Sequence, residues 1–256
     1  MPRHVFLTLL AAFCVAAGAG LGYGQKYTTG EAVMAAVDAR PTPAGLISTM
    51  TMTITTRSGQ SLTRQMQVWS ANDGKKEVVK FTAPPDIAGS GFLSVESPDG
   101  STVSMVYLPA LDRTRRIAGG QKQEAFFGSD FSYEDISDLQ TGTHEKYENE
   151  LLKVDAGPVY VVQATPKPGA ETSYSKLVLD VPEATLVPSR IEFYRDGALL
   201  KIMTISKTTV VDGYTMPSDI RMESAAGSTT TLQQSDFSVQ TAIPDDVFTE
   251  RFLTRR

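Results

Sequence analysis

Apolar and polar residues alternate one for one along most of this chain, and that period of two constrains the fold more than any other feature. Met50, Met52 and Ile54 alternate with Thr49, Thr51, Thr53 and Thr55; Leu62, Met66 and Val68 alternate with Thr63, Gln65 and Gln67. Val79 and Phe81 follow, then Val103, Met105 and Tyr107. Leu177, Leu179 and Val181 alternate with Lys176 and Asp180, Ile191 and Phe193 with Arg190, Glu192 and Tyr194, and Met203 and Ile205 come next. Successive side chains of a strand point to opposite faces, so this pattern predicts strands with one apolar and one wetter face. Asp73-Gly74, Asp99-Gly100, Asp196-Gly197 and Asp212-Gly213, with Ser58-Gly59, fall between these runs. Asp-Gly tolerates the positive φ of tight hairpins. Strand, Asp-Gly, strand, repeated, describes an antiparallel meander of roughly ten strands and not a βαβ series.

One segment has a helical period. Gly30–Arg40 carries Val33, Met34 and Val37 on one face, and Pro41 and Pro43 stop it. Pro84–Gly89 reads as a loop. Residues 109–147 read as a longer, mixed stretch, and a loop of that length in a compact domain is often functional. Neither a linker nor a repeat of fixed period interrupts the chain, so residues 25–256 are expected to form one domain.

The amino terminus has the pattern of a secretory signal peptide: Arg3, an apolar run from Val5, and small residues suited to cleavage near residues 19–24. The run is short of the ~20 residues of a spanning helix. The single cysteine, Cys14, lies inside that run behind Phe13, where a lipoprotein signal would carry Gly or Ala, so lipidation is not expected. An exported chain without a further cysteine needs no disulfide at this length.

Chemistry-bearing motifs are scarce. The balance of 24 Lys and Arg against 29 Asp and Glu shows no basic block, which argues against nucleic acid as a partner. His144 has no Cys or His nearby to make a metal site. There is no Gly-x-Ser-x-Gly elbow, P-loop or dinucleotide fingerprint. Glu134, Asp135 and Asp138 read as solvated carboxylates before they read as a catalytic pair. No catalytic residue, cofactor or metal is therefore expected, and a hydrolase lacks its nucleophile–base pair.

Two features invite a binding role. Arg113, Arg115 and Arg116 crowd beside a strand, and Phe126, Phe127, Phe131 and Tyr133 follow with Asp130, Glu134 and Asp135. One reading has the arginines pair with the acids and pin a loop to the sheet. The other makes the aromatic loop a lid over an apolar cavity, latched by the same pairs; the two are compatible. Methionines at 50, 52, 66, 105, 203, 216 and 222 lie on or beside predicted strands. They read as ordinary core or as an adaptable surface for apolar ligands.

Several of these stretches carry a resemblance: Glu31-Ala32-Val33-Met34; Phe81 to Gly89; Tyr107-Leu108-Pro109-Ala110; Arg115-Arg116-Ile117; Phe127-Gly128-Ser129-Asp130-Phe131-Ser132-Tyr133-Glu134-Asp135; Tyr174-Ser175-Lys176; and Ile243 to Thr249. Together the chain resembles the bacterial outer-membrane lipoprotein-sorting proteins, relatives of the LolA and LolB carriers. The resemblance implies a β-dominated α+β fold, an unclosed antiparallel barrel wrapped over one or a few helices. It also implies a periplasmic location and an apolar cavity for acyl chains of lipoproteins or lipids. Delivery beside an inner-membrane transporter of the resistance-nodulation-division (RND) type is implied too. Alternation then nominates Met50, Met52, Met66, Phe81, Phe92, Met105, Leu179 and Met203 as the lining. Phe127, Phe131 and Tyr133 are expected to close the cavity, with Arg115 and Arg116 holding Asp130 and Asp135 as the latch. The rival expectation is a periplasmic module that docks on such a transporter and carries nothing.

Overall fold

The structure is a computed structural model and describes residues 26–72, 74–97, 101–141 and 146–255. The segment read as a signal peptide, with Cys14, and also Asp73, Asp99-Gly100 and His144, lie outside the described residues.

Thirteen strands form one antiparallel sheet: β1 Gly45–Thr55, β2 Ser61–Ala71, β3 Lys76–Ala83, β4 Gly91–Glu96, β5 Thr102–Leu108, β6 Arg113–Ile117, β7 Tyr147–Asp155, β8 Val159–Pro166, β9 Lys176–Pro182, β10 Arg190–Arg195, β11 Ala198–Val211, β12 Tyr214–Ser224 and β13 Thr229–Gln240. Their spatial order is β6-β5-β4-β3-β2-β1-β13-β12-β11-β10-β9-β8-β7. Every neighbour in space is thus a neighbour in sequence except β1 and β13, which pair antiparallel and join two meanders into one unclosed sheet. The hairpins at Asp196-Gly197 and Asp212-Gly213 take positive φ at both positions, 50° and 81° in the first and 50° and 84° in the second. That geometry matches the twist of paired strands.

The inner face of the sheet meets the helices. Helix α1, Gly30–Asp38, is capped by Thr29, whose hydroxyl accepts from the Ala32 N–H at 3.1 Å. It docks on β7 so closely that a Cβ on Gly30 would stand 2.5 Å from the Asn149 carbonyl oxygen. Only glycine allows that approach. Glu31 clamps the same place, accepting from Asn149 N at 2.8 Å and Asn149 Nδ2 at 3.1 Å. A core runs from Val33 and Met34 across Met52, Phe81 and Phe92 to Tyr160, Leu179 and Met222.

The outer face of β2–β5 is covered as well. The chain end, with a 3₁₀ turn Asp245–Phe248 and helix α3 Glu250–Thr254, packs Phe248 and Leu253 on Val78, Leu93 and Tyr107. Trp69 meets Phe252 edge-on at 5.2 Å. Strands buried on both faces lose their alternation, which is why Phe92 and Leu93 are adjacent and both buried.

Residues 109–141 are more ordered than an open loop. Their first part pairs with β5 as β6, whose Arg-Thr-Arg-Arg sequence hides a strand. Their last part forms helix α2, Tyr133–Thr141, opened by a capping box in which Asp135 N donates to Ser132 Oγ at 3.1 Å and Ser132 N donates to Asp135 Oδ2 at 2.6 Å.

Candidate functional site

The segment after β6, up to residue 141, lies on the inner face and divides it into a filled half and an open half. Over β2–β6, Phe126, Phe127 and Tyr133 stack into the sheet. Phe81 and Phe127 ring centres are 4.5 Å apart, Phe92 and Phe126 are 5.6 Å apart, and Phe92 and Tyr133 are 5.6 Å apart. Phe131 is fully buried. These aromatics act as a plug in the core rather than a cover over the open half.

Over β8–β12 the sheet stays uncovered between α1 and α2, and a cavity of about 500 Å³ remains. Met34 and Val37 of α1 and Leu139 of α2 form its roof. Leu177, Leu179, Ile191, Phe193, Met203 and Ile205 form its floor. The floor is built by register: Leu179 pairs with Ile191, and Ile191 with Met203, so three strands contribute one apolar row. Polar groups edge this surface: Asp135, Asp138, Tyr147 and Tyr174 on one side, Arg40, Asp38 and Thr42 at the end of α1.

Of the eight nominated lining residues, Leu179 and Met203 reach this cavity. Met52, Phe81 and Phe92 lie on the inner face but inside the filled half. Met50 and Met66 border a second void of about 20 Å³, room for about one water. Met105 requires correction: it packs on the outer face with Leu93 and Tyr107, because its neighbour Val106 takes the inward position on β5. The sequence reading weighted the methionine-rich first meander, and the plug occupies that half.

The proposed latch also pairs differently. Arg115 binds Glu124, with Nη2 to Oε2 at 2.8 Å and Nη1 to Oε1 at 3.4 Å, and Arg116 is exposed. Asp130 instead accepts from the hydroxyls of Ser228 and Thr230, the latter at 2.7 Å, which ties the plug to β13. Asp135 forms a buried ion pair with Lys201 of β11 and accepts from Tyr174 Oη at 2.6 Å. Glu134 accepts from Thr172 Oγ1 at 2.6 Å and Ser173 Oγ at 2.5 Å. The acids of α2 are therefore buried anchors and not solvated carboxylates. Lys201 is the cation that sequence reasoning missed. Its parity with Met203, two residues on, already placed a charge on the inner face.

The electrostatics follow from burial. Tyr174 is pushed up, first by desolvation and then by the Asp135 carboxylate beside it, so it stays a proton donor. Asp138 is raised to about 6 by burial, with Lys146 opposing and the Glu134 and Asp135 carboxylates adding. Among the described residues no group of three His, Cys, Asp or Glu could hold a metal ion. The arrangement anchors α2 and leaves an apolar chamber beside it.

A large unclosed antiparallel sheet folded over a few helices around such a chamber is the architecture of the LolA-like proteins. A LolA superfamily protein from Nitrosomonas europaea has the same fold, with a TM-score of 0.70 over 88% of this chain and all of that one at 21% identity. A DUF1329 family protein from Desulfovibrio piger is 30% identical, with a TM-score of 0.80 over 88% of this chain and 97% of that one. A domain from Vibrio parahaemolyticus assigned to outer membrane lipoprotein sorting is 31% identical, with a TM-score of 0.77 over 87% and 95% of the two chains. A family model described as an uncharacterized protein matches residues 73–255. No curated protein matches the chain. The chain belongs to the DUF1329 family and has the LolA-like fold.

Proposed function

We propose that this protein is a non-enzymatic periplasmic carrier that shields an acyl chain from water during lipoprotein sorting or lipid transport. The observation that carries this reading is the chamber of about 500 Å³ between α1, α2 and β8–β12, floored by Leu179, Ile191 and Met203. Burial contributes about 0.8 kcal/mol per methylene, so one long chain supplies enough affinity for transport even with its head in solvent. The signal-peptide pattern supports export, and an RND-type inner-membrane transporter is the partner that the family resemblance suggests. The engagement of each α2 carboxylate by a hydroxyl or a lysine supports a structural role for them, not a hydrolytic one.

Purification of the natively exported protein, followed by solvent extraction and mass spectrometry, tests the proposal. A stoichiometric lipid or acylated peptide is expected. A protein that is empty, and stays empty after incubation with lipid vesicles and lipoprotein, would move the assignment to a transporter-docking module.

A further inference from the structure

The chamber has one cationic feature that the carrier reading does not use. Arg40, just past α1, is the only Lys or Arg among its lining residues. Two of its donors are already placed: Nε donates to the Val37 carbonyl at 3.2 Å and Nη1 to the Thr215 carbonyl at 3.3 Å. Those bonds fix the guanidinium at the chamber edge without neutralising it, since carbonyl oxygens carry no net charge. Burial lowers its pKa from the ordinary arginine value. The acids on the far side behave differently: Asp135 is paired with Lys201, and Asp138 with Lys146 at 3.3 Å. A half-buried guanidinium with free donors beside an apolar chamber is half of a charge-assisted contact with an anion.

Volume sets the other end of the ligand. A water occupies about 30 Å³ in the liquid, and a methylene is of similar size. A chamber of about 500 Å³ thus has room for one chain of roughly sixteen carbons. Thr215 pairs with Val210 at the far end of β11 from Lys201. A ligand with its head on Arg40 would therefore lay its tail along Ile205 and Met203 toward Phe193 and Tyr174.

We propose that the chamber binds one straight acyl chain ending in a compact anion, with a long-chain carboxylate as the type, its head on Arg40. This rests on the carrier reading and narrows it to single-chain amphiphiles.

The test uses the full exported protein, delipidated, and competition against a fluorescent fatty acid. The competitors are palmitate, lysophosphatidic acid, monopalmitin, a diacyl phosphatidylethanolamine and a triacylated lipopeptide. Palmitate or lysophosphatidic acid is expected to bind roughly tenfold or more tighter than monopalmitin, the scale of one charge-assisted contact; which of the two wins names the head. Arg40→Met should remove that preference, while Arg40→Lys should restore part of it. A circular dichroism spectrum and a urea midpoint matching those of the parent show that the variants fold. Equal binding of charged and neutral heads, or a diacyl or triacyl ligand bound as tightly as palmitate, overturns the proposal and leaves the carrier reading standing. If no lipid of any kind binds, both fall.

Discussion

Glu77 shows what one buried carboxyl does to this sheet. It lies on β3 and is 3% exposed. It borders the small void with Met50, Met66 and Leu232, and its Oε2 has no hydrogen-bond partner among the described residues. Burial raises its pKa to about 8, so the neutral acid is the native form at neutral pH. A group whose pKa is higher in the folded than in the unfolded chain releases its proton earlier on unfolding. Its contribution is complete below its unfolded value, near 4.5, and is lost as pH rises toward 8. Asp138, raised to about 6, acts in the same direction over a lower window. We expect the unfolding midpoint in urea to fall between pH 5 and pH 8. Glu77→Gln, which cannot ionise, should flatten much of that slope. An identical slope in the variant would show that Glu77 is solvated in the native protein.

The elements divide the same way as the chemistry. Strands β1 to β3, β5 and β9 to β11 follow from alternation, and the Asp196-Gly197 and Asp212-Gly213 turns join strands adjacent in space. The segment between β6 and β7 does not announce itself, because its arginines and acids read as surface while tertiary contacts bury several of them. Its anchoring sets the prediction at this scale. The Arg115–Glu124 pair is partly exposed on both sides, and such pairs contribute about 0–1 kcal/mol. The Asp130 carboxylate holds two hydroxyls of the segment around β13, and bonds to a charged group contribute about 1.5–3 kcal/mol each. Asp130→Ala should therefore cost about 2 kcal/mol or more of stability and open the plug to protease, while Arg115→Ala should change either by little. Limited proteolysis alongside urea titration measures both, and equal effects from the two variants would count against this division of labour.

Across the whole molecule, the sheet carries two different interiors under one hydrogen-bonded ladder. Strands β2–β5 are packed on both faces, by the aromatic plug inside and by the chain end with α3 outside. The β8–β12 half keeps its chamber. Occupancy should be felt unevenly. A ligand that binds the folded state alone stabilises it in proportion to the logarithm of its concentration over Kd. Its local effect should appear as slower amide hydrogen exchange in α1, α2 and β9–β11, with β3–β5 unchanged. Uniform slowing across all strands, or protection confined to β3–β5, would place the ligand elsewhere.

The sequence alone determined strands β1 to β3, β5 and β9 to β11, the antiparallel meander, helix α1 and the LolA-like resemblance, because alternation, Asp-Gly turns and proline stops are local signals that leave a strand few other choices. It also nominated Leu179 and Met203, whose neighbours alternate cleanly. It did not reach the placement of the cavity, the partner of Asp135 or the outward turn of Met105. Those depend on which half of a long sheet the plug fills and on contacts as distant in sequence as Asp135 with Lys201 and Arg40 with Thr215. Side-chain parity says which residues share a face. Only packing in three dimensions decides which stretch of that face is filled and which is left open for a ligand.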